Sequence, residues 1–104
     1  MVKREYTLAL IESVVKDRYC VTSDELRQRT RKERISFPRQ ILFYVASHLL
    51  QPVLYKNLAL NYGLVNHASA IHGVRHVRDL MTVDMKFMEE MMMINSIIKE
   101  KLKR

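Results

Sequence analysis

Between Arg34 and Arg78 the chain contains neither Asp nor Glu, although all four of its His residues, His48, His67, His72 and His76, fall there. With no carboxylate to orient an imidazole, general acid–base catalysis is excluded from that stretch as a working expectation. A metal site is excluded on similar grounds. His72 and His76 stand four apart, but the Glu of a zinc-protease helix is missing between them and no Cys or acidic ligand is nearby. One Cys allows no internal disulfide, and Cys20, between Tyr19 and Val21, reads as a small buried hydrophobe rather than a nucleophile. With only 2 Gly and 2 Pro there is no Gly-rich phosphate loop, linker, low-complexity segment or nucleophile elbow. No apolar run approaches the ~18 residues of a membrane span, and the start MVKREY lacks the apolar core of a signal peptide, so the expected location is the cytoplasm.

What remains is helical and basic. A chain of 104 residues, 48% hydrophobic, has the size of one compact domain, here 1–104. Lys plus Arg number 18 against 11 Asp plus Glu, a net charge of +7. An acid-free middle region lets a polyanion approach without repulsion, so nucleic acid is the first partner class and an anionic membrane surface the second.

Taken in order, Leu8, Ile11, Val15 and Tyr19 recur at helical spacing and predict a first helix over Thr7 to Tyr19. Thr22-Ser23-Asp24-Glu25 is a capping-box sequence, predicting a short second helix from about Ser23. Then come Arg27, Arg29, Arg31, Lys32 and Arg34, opposed only by Glu33. These read either as a solvated surface or as a basic loop along phosphates. Ile35 to Pro38 is expected to be non-helical, with Pro38 starting a third helix that runs to about Leu50. Arg39 then sits in a first turn, where the helix dipole disfavours a cation by some tenths of a kcal/mol, so something other than helix stability is needed to explain it. The apolar content of that helix, Ile41 to Ala46 and Leu49, predicts a buried centre.

The stretch from Leu54 to Met81 has the pattern of a helix-turn-helix. Leu58 and Tyr62 follow Leu54 on one face, Gly63 can take a left-handed turn, and Asn66 offers a side-chain cap. In the second helix Ala70, Val74, Val77 and Met81 form an apolar stripe widened by Ile71, leaving His67, Ser69, His72, Arg75 and His76 toward solvent. Gln51-Pro52 separates this pair from the third helix. A last helix over about 83–102, capped by Thr82, carries Phe87, Met91, Ile94 and Ile98 on one stripe, with Met88 and Leu102 beside it. Met91, Met92 and Met93 are consecutive, so at least one of them has to be exposed or touch another chain.

Two segments, RKERISFPRQILFYVASHLL and NYGLVNHASAIHGVRHVRDL, resemble the C-terminal DNA-binding domain of the bacterial replication initiator DnaA, and the resemblance runs from about Thr7 to Leu102. It implies an all-α bundle of about six helices related to the Trp-repressor fold. It implies further that the recognition helix enters a major groove while an Arg of the Pro-Arg-Gln segment enters the adjacent minor groove. Carried onto this sequence, those roles fall to Arg39 for the minor groove and His67 for a base. Where the family typically has Gly-Gly-Arg-Asp-His-Thr-Thr-Val, this chain has Gly63-Leu64-Val65-Asn66-His67-Ala68-Ser69-Ala70. Val65 lacks the cation, Asn66 replaces a carboxylate, Ala68 lacks a hydroxyl and Ser69 keeps one. Asp accepts from cytosine N4 whereas Asn pairs with adenine, so a base preference shifted from the usual initiator box is expected.

The resulting expectation is a non-enzymatic binder of double-stranded DNA, acting in replication initiation or its regulation. Base contacts are assigned to Arg39, Asn66, His67 and Ser69, and phosphate contacts to Arg31, Lys32, Arg34, Lys56 and Arg75. No cofactor, metal, membrane or small-molecule substrate is expected. The chain begins at the DNA-binding region, so it should neither bind ATP nor melt an origin unaided, as for a fragment or a phage or mobile-element relative. The alternatives are a transcriptional regulator, or a protein-interaction module on the same fold that binds a host initiator or itself.

Overall fold

A computed structural model describes residues 7–50, 55–64 and 66–102. Among them are six helices and no strand: α1 (Leu8–Tyr19), α2 (Ser23–Leu26), α3 (Glu33–Leu49), α4 (Tyr55–Asn61), α5 (His67–Val83) and α6 (Met85–Leu102). No helix among the described residues is long and apolar enough to cross a membrane.

Helix starts follow the capping chemistry in the sequence. The Thr7 hydroxyl accepts from the Leu10 N–H and opens α1. At α2 the capping box is complete: Thr22 Oγ1 accepts from the Glu25 N–H at 3.1 Å, and a Glu25 oxygen accepts from the Thr22 N–H at 3.0 Å. Asn66 caps α5, its Oδ1 accepting from the Ala68 N–H at 2.9 Å. For α6 the cap is Asp84 rather than Thr82: Asp84 Oδ1 accepts from the Phe87 N–H, while the Thr82 hydroxyl donates back to the Asp79 carbonyl inside α5. A carboxylate is the better partner for the positive end of a helix, and it starts α6 two residues later than the sequence suggested.

Helix α3 departs most from expectation. It starts at Glu33, so Ile35, Ser36 and Phe37 are helical and Pro38 lies inside the helix. Proline there removes one backbone donor from the second turn, a cost tertiary packing offsets. Ile35 is buried, and the Phe37 ring lies 5.4 Å from that of Phe87 on α6 and 6.1 Å from His76 on α5. Arg39 is consequently not in a first turn, and the dipole argument about it falls away.

The core forms where α3 packs against α1, α2 and α5, and α6 closes over α1 and α5. Ile11, Val15, Ile41, Leu42, Val45, Ala70, Val77, Met91, Ile94 and Ile98 are all buried within it. Met92 and Met93 are exposed, as consecutive positions require. Cys20 is a second correction. It is exposed and holds φ +54° at the C-cap of α1, a left-handed position for which helix termination, not burial, is the reason. Leu54, Gln51, Pro52 and Val65 lie outside the described residues.

Glu12 joins three elements. Its carboxylate accepts from the Tyr62 hydroxyl at 2.6 Å, the Ser23 hydroxyl at 2.8 Å and the Arg27 guanidinium at 3.0 Å. Burial alone would raise its pKa, but those three hydrogen bonds and the Arg27 charge together hold it below the usual carboxylate value. Glu90, hydrogen-bonded to Arg18 and Tyr19, is likewise held low. Carboxylates depressed by folding contribute stability that is present above their unfolded pKa and lost as pH falls through the folded value. Melting temperature is therefore expected to hold from neutral pH down to about 5 and to fall steeply below about pH 4.5, the ordinary carboxylate value. Thermal melts across pH check this, with Glu12→Gln expected to flatten the acid limb.

Candidate nucleic-acid interface

Helix α4, the turn at Gly63 and helix α5 form the helix-turn-helix. Gly63 takes φ +72°, and a Cβ placed on it would stand 2.3 Å from the Arg27 carbonyl oxygen. The turn therefore rests directly on the start of the basic segment. Tyr62, fully buried one residue earlier, fixes this contact: its hydroxyl reaches Glu12, its ring meets Phe43 edge-on at 5.6 Å, and the Arg27 guanidinium carbon lies 4.8 Å from the ring centroid.

The basic segment from Arg27 to Lys32 is a loop between α2 and α3 with its own internal bonds. The Thr30 N–H donates to the Gln28 carbonyl and the Lys32 N–H to the Thr30 hydroxyl. Arg29, Arg31 and Lys32 are exposed. Between this loop and the start of α5 lies a cleft of about 660 Å³, whose walls include Arg29, Arg31, Arg39, Gln40, Asn66 and Ser69.

Of the residues assigned to base contact, the structure brings Arg39, Asn66 and Ser69 to that cleft, and His67 stands exposed as the first residue of α5. Arg39 does not present itself as expected. Its side chain is only 6% exposed, and the guanidinium donates to three backbone carbonyls: Leu26 at 3.3 Å, Gln28 at 2.6 Å and Thr30 at 3.0 Å. Burial also pulls its pKa below the usual arginine value. These bonds use three of its five N–H groups, so a minor-groove contact by Arg39 would have to be made through the small exposed part of the residue or with some of these bonds broken. Asn66 is also partly committed, because its Oδ1 serves the Ala68 N–H and leaves the amide N–H groups as its free side.

Among the expected phosphate contacts, Arg31 lines the cleft and Lys32 is the N-cap residue of α3. Arg34 is exposed but paired with Glu25, and Lys56 on α4 and Arg75 on α5 are exposed outside the cleft. Arg29 and Gln40 were not assigned from the sequence. Arg29 belongs to the same cationic run as Arg31, and alternation with it along an extended loop was the available signal. Among the described residues no group of three His, Cys, Asp or Glu is placed to hold a metal ion.

The sequence pattern described as the bacterial dnaA protein helix-turn-helix matches residues 8–77, from the first residue of α1 into α5. This chain belongs to that family. The chromosomal replication initiator protein DnaA of Agrobacterium fabrum is 31% identical over 90 residues, as is that of Rhizobium meliloti. In both cases the match covers 86% of this chain and 18% of the relative. The Wolbachia pipientis protein of the same name is 27% identical over 96 residues, 92% of this chain and 21% of its own length. The chain thus spans about a fifth of the curated relatives it matches. Membership makes the matched region a DNA-binding helix-turn-helix, in the all-α architecture described above.

Proposed function

We propose that the chain binds double-stranded DNA sequence-specifically, in replication initiation or its regulation. The start of α5 enters a major groove, and the exposed guanidiniums of the α2–α3 loop lie along the adjacent minor groove and its phosphates. The observation carrying this reading is the shared cleft, with Arg29 and Arg31 across from Asn66 and Ser69 and no Asp or Glu among the described residues of its walls. His67 and Ser69 are the base readers, Asn66 donates to an acceptor edge or a phosphate, and Arg31 takes the minor-groove role that the resemblance gave to Arg39. A guanidinium suits the negative potential of a narrow A/T minor groove, and residues at the start of a recognition helix are the ones that reach base edges.

Lys32, Arg34, Lys56 and Arg75 remain the phosphate contacts of this proposal, and Arg31, at the minor-groove edge, neutralises a phosphate there as well. If about five phosphates are neutralised, log Kd against log salt has a slope on the order of 4 to 5. Selection from randomised duplexes, followed by titration of the enriched sequence at several salt concentrations, measures both parts. A short enriched motif with a steep slope is the expected result, while no enrichment or a flat salt response rejects the proposal. Recovery of the usual initiator box would reject only the shifted base preference.

A second reading, a protein-binding module that pairs with itself or with an initiator, is favoured by one observation: Val83, Met85 and Met92 stand 81%, 77% and 61% exposed. Two substitutions separate the readings. Arg31→Ala should weaken duplex binding by ~1 to 3 kcal/mol under the first reading and leave it unaffected under the second, for which Met92→Ser is the disabling change.

A further inference from the structure

The residue expected to read the minor groove is one whose guanidinium is bonded mainly within the protein. Arg39 reaches from the second turn of α3 to the carbonyls of Leu26, Gln28 and Thr30, at three points along the basic loop. Glu12 acts on the other end of that segment. It holds the Arg27 guanidinium, which also donates to the Ser23 carbonyl, and it holds Tyr62, the residue before the Gly63 turn. The Arg27 carbonyl in turn packs where a Gly63 side chain would be. One carboxylate and one guanidinium thus fasten the loop to both sides of the cleft, and neither belongs to the exposed cationic set.

We infer that Arg39 and Glu12 are positioning residues that set the basic loop at a fixed distance from the start of α5 before DNA arrives, so that Arg29 and Arg31 meet the duplex already in register. This rests on the DNA-binding reading for its consequence, but not for the loop order itself. A guanidinium suits the task because its planar fork satisfies several carbonyls from one buried position, which a lysine ammonium does not reproduce. A loop ordered in advance avoids the conformational cost of being fixed on binding.

The test uses amide hydrogen exchange of the free protein together with duplex titrations, on Arg39→Met, Arg39→Lys and Glu12→Gln. Positioning predicts that exchange at Gln28, Thr30 and Lys32 accelerates in all three variants while α3 and α6 amides stay protected. It also predicts that affinity for the selected duplex falls about tenfold, with the salt slope of Arg39→Met unchanged. Direct contact predicts the reverse: loop exchange as in the unsubstituted protein and a slope for Arg39→Met lower by about one. That result overturns the inference, as does wild-type loop exchange in Glu12→Gln. If Arg39→Met does not fold, Arg39→Lys and Glu12→Gln decide by the same exchange readout. If the unsubstituted protein binds no selected duplex, the DNA-binding reading falls, and loop exchange alone still decides whether these two residues order the loop.

Discussion

Replacing Gly63 with alanine should lower the stability of the protein by at least about 2 kcal/mol. The backbone at Gly63 holds φ +72°, where a Cβ costs roughly 1 to 2 kcal/mol against its neighbouring carbonyl. A second cost adds to it, because that Cβ would fall 2.3 Å from the Arg27 carbonyl oxygen. The obstacle is main chain rather than the end of a flexible side chain, so either the turn or the basic loop has to move. In a domain of this size the loss corresponds to a fall of roughly 10 °C in Tm. Duplex affinity should fall with it, since the displaced elements are the two walls of the cleft. Gly73→Ala is the internal control. Its Cβ would press on the Gln40 side chain, 2.9 Å from Cγ and 3.4 Å from Cβ, with the Gln40 Cα at an ordinary 3.6 Å, and a helical alanine recovers about 1 kcal/mol of propensity. Its net change should lie within about 1 kcal/mol of zero, read by the same melts.

Asn66→Asp should move folding and DNA binding in opposite directions. Capping survives the change, because a carboxylate oxygen can accept from the Ala68 N–H as the amide oxygen does now. A negative charge at the start of α5 also favours the helix dipole, by roughly 0.3 to 1 kcal/mol. Stability should therefore hold or rise slightly. Toward DNA the side chain loses its only donors and gains a charge that repels phosphate. Affinity for the preferred duplex should fall by about 1 to 3 kcal/mol, with any remaining preference at that position turning to cytosine. Paired melts and duplex titrations measure the two effects. A parallel loss of both would mean that Asn66 acts on binding only through the helix.

Much of the architecture was legible because helix ends are written locally. The capping box at Thr22, the left-handed turn at Gly63 and the cap at Asn66 each depend on residues within four positions of one another, and each forms as read. What was not legible depends on distant partners. Phe37 holds helix through Pro38 by packing on Phe87, fifty positions away, which no local propensity encodes. Arg39 was conspicuous as a cation in an acid-free region, but a charge pattern does not reveal that three carbonyls of a preceding loop are its partners. Glu12 gave no signal at all, because an acid beside an apolar stripe looks solvated until Tyr62, Ser23 and Arg27 converge on it.

Placing the duplex on the protein is the most direct test of the interface. Backbone amide shifts followed by NMR while the selected duplex is added should move at Arg29 to Lys32, at Asn66 to Ser69 and along the exposed side of α5 at His72, Arg75 and His76. A footprint confined to Val83 through Met93, or one spread evenly over the surface, would contradict the placement of DNA across the loop and the recognition helix.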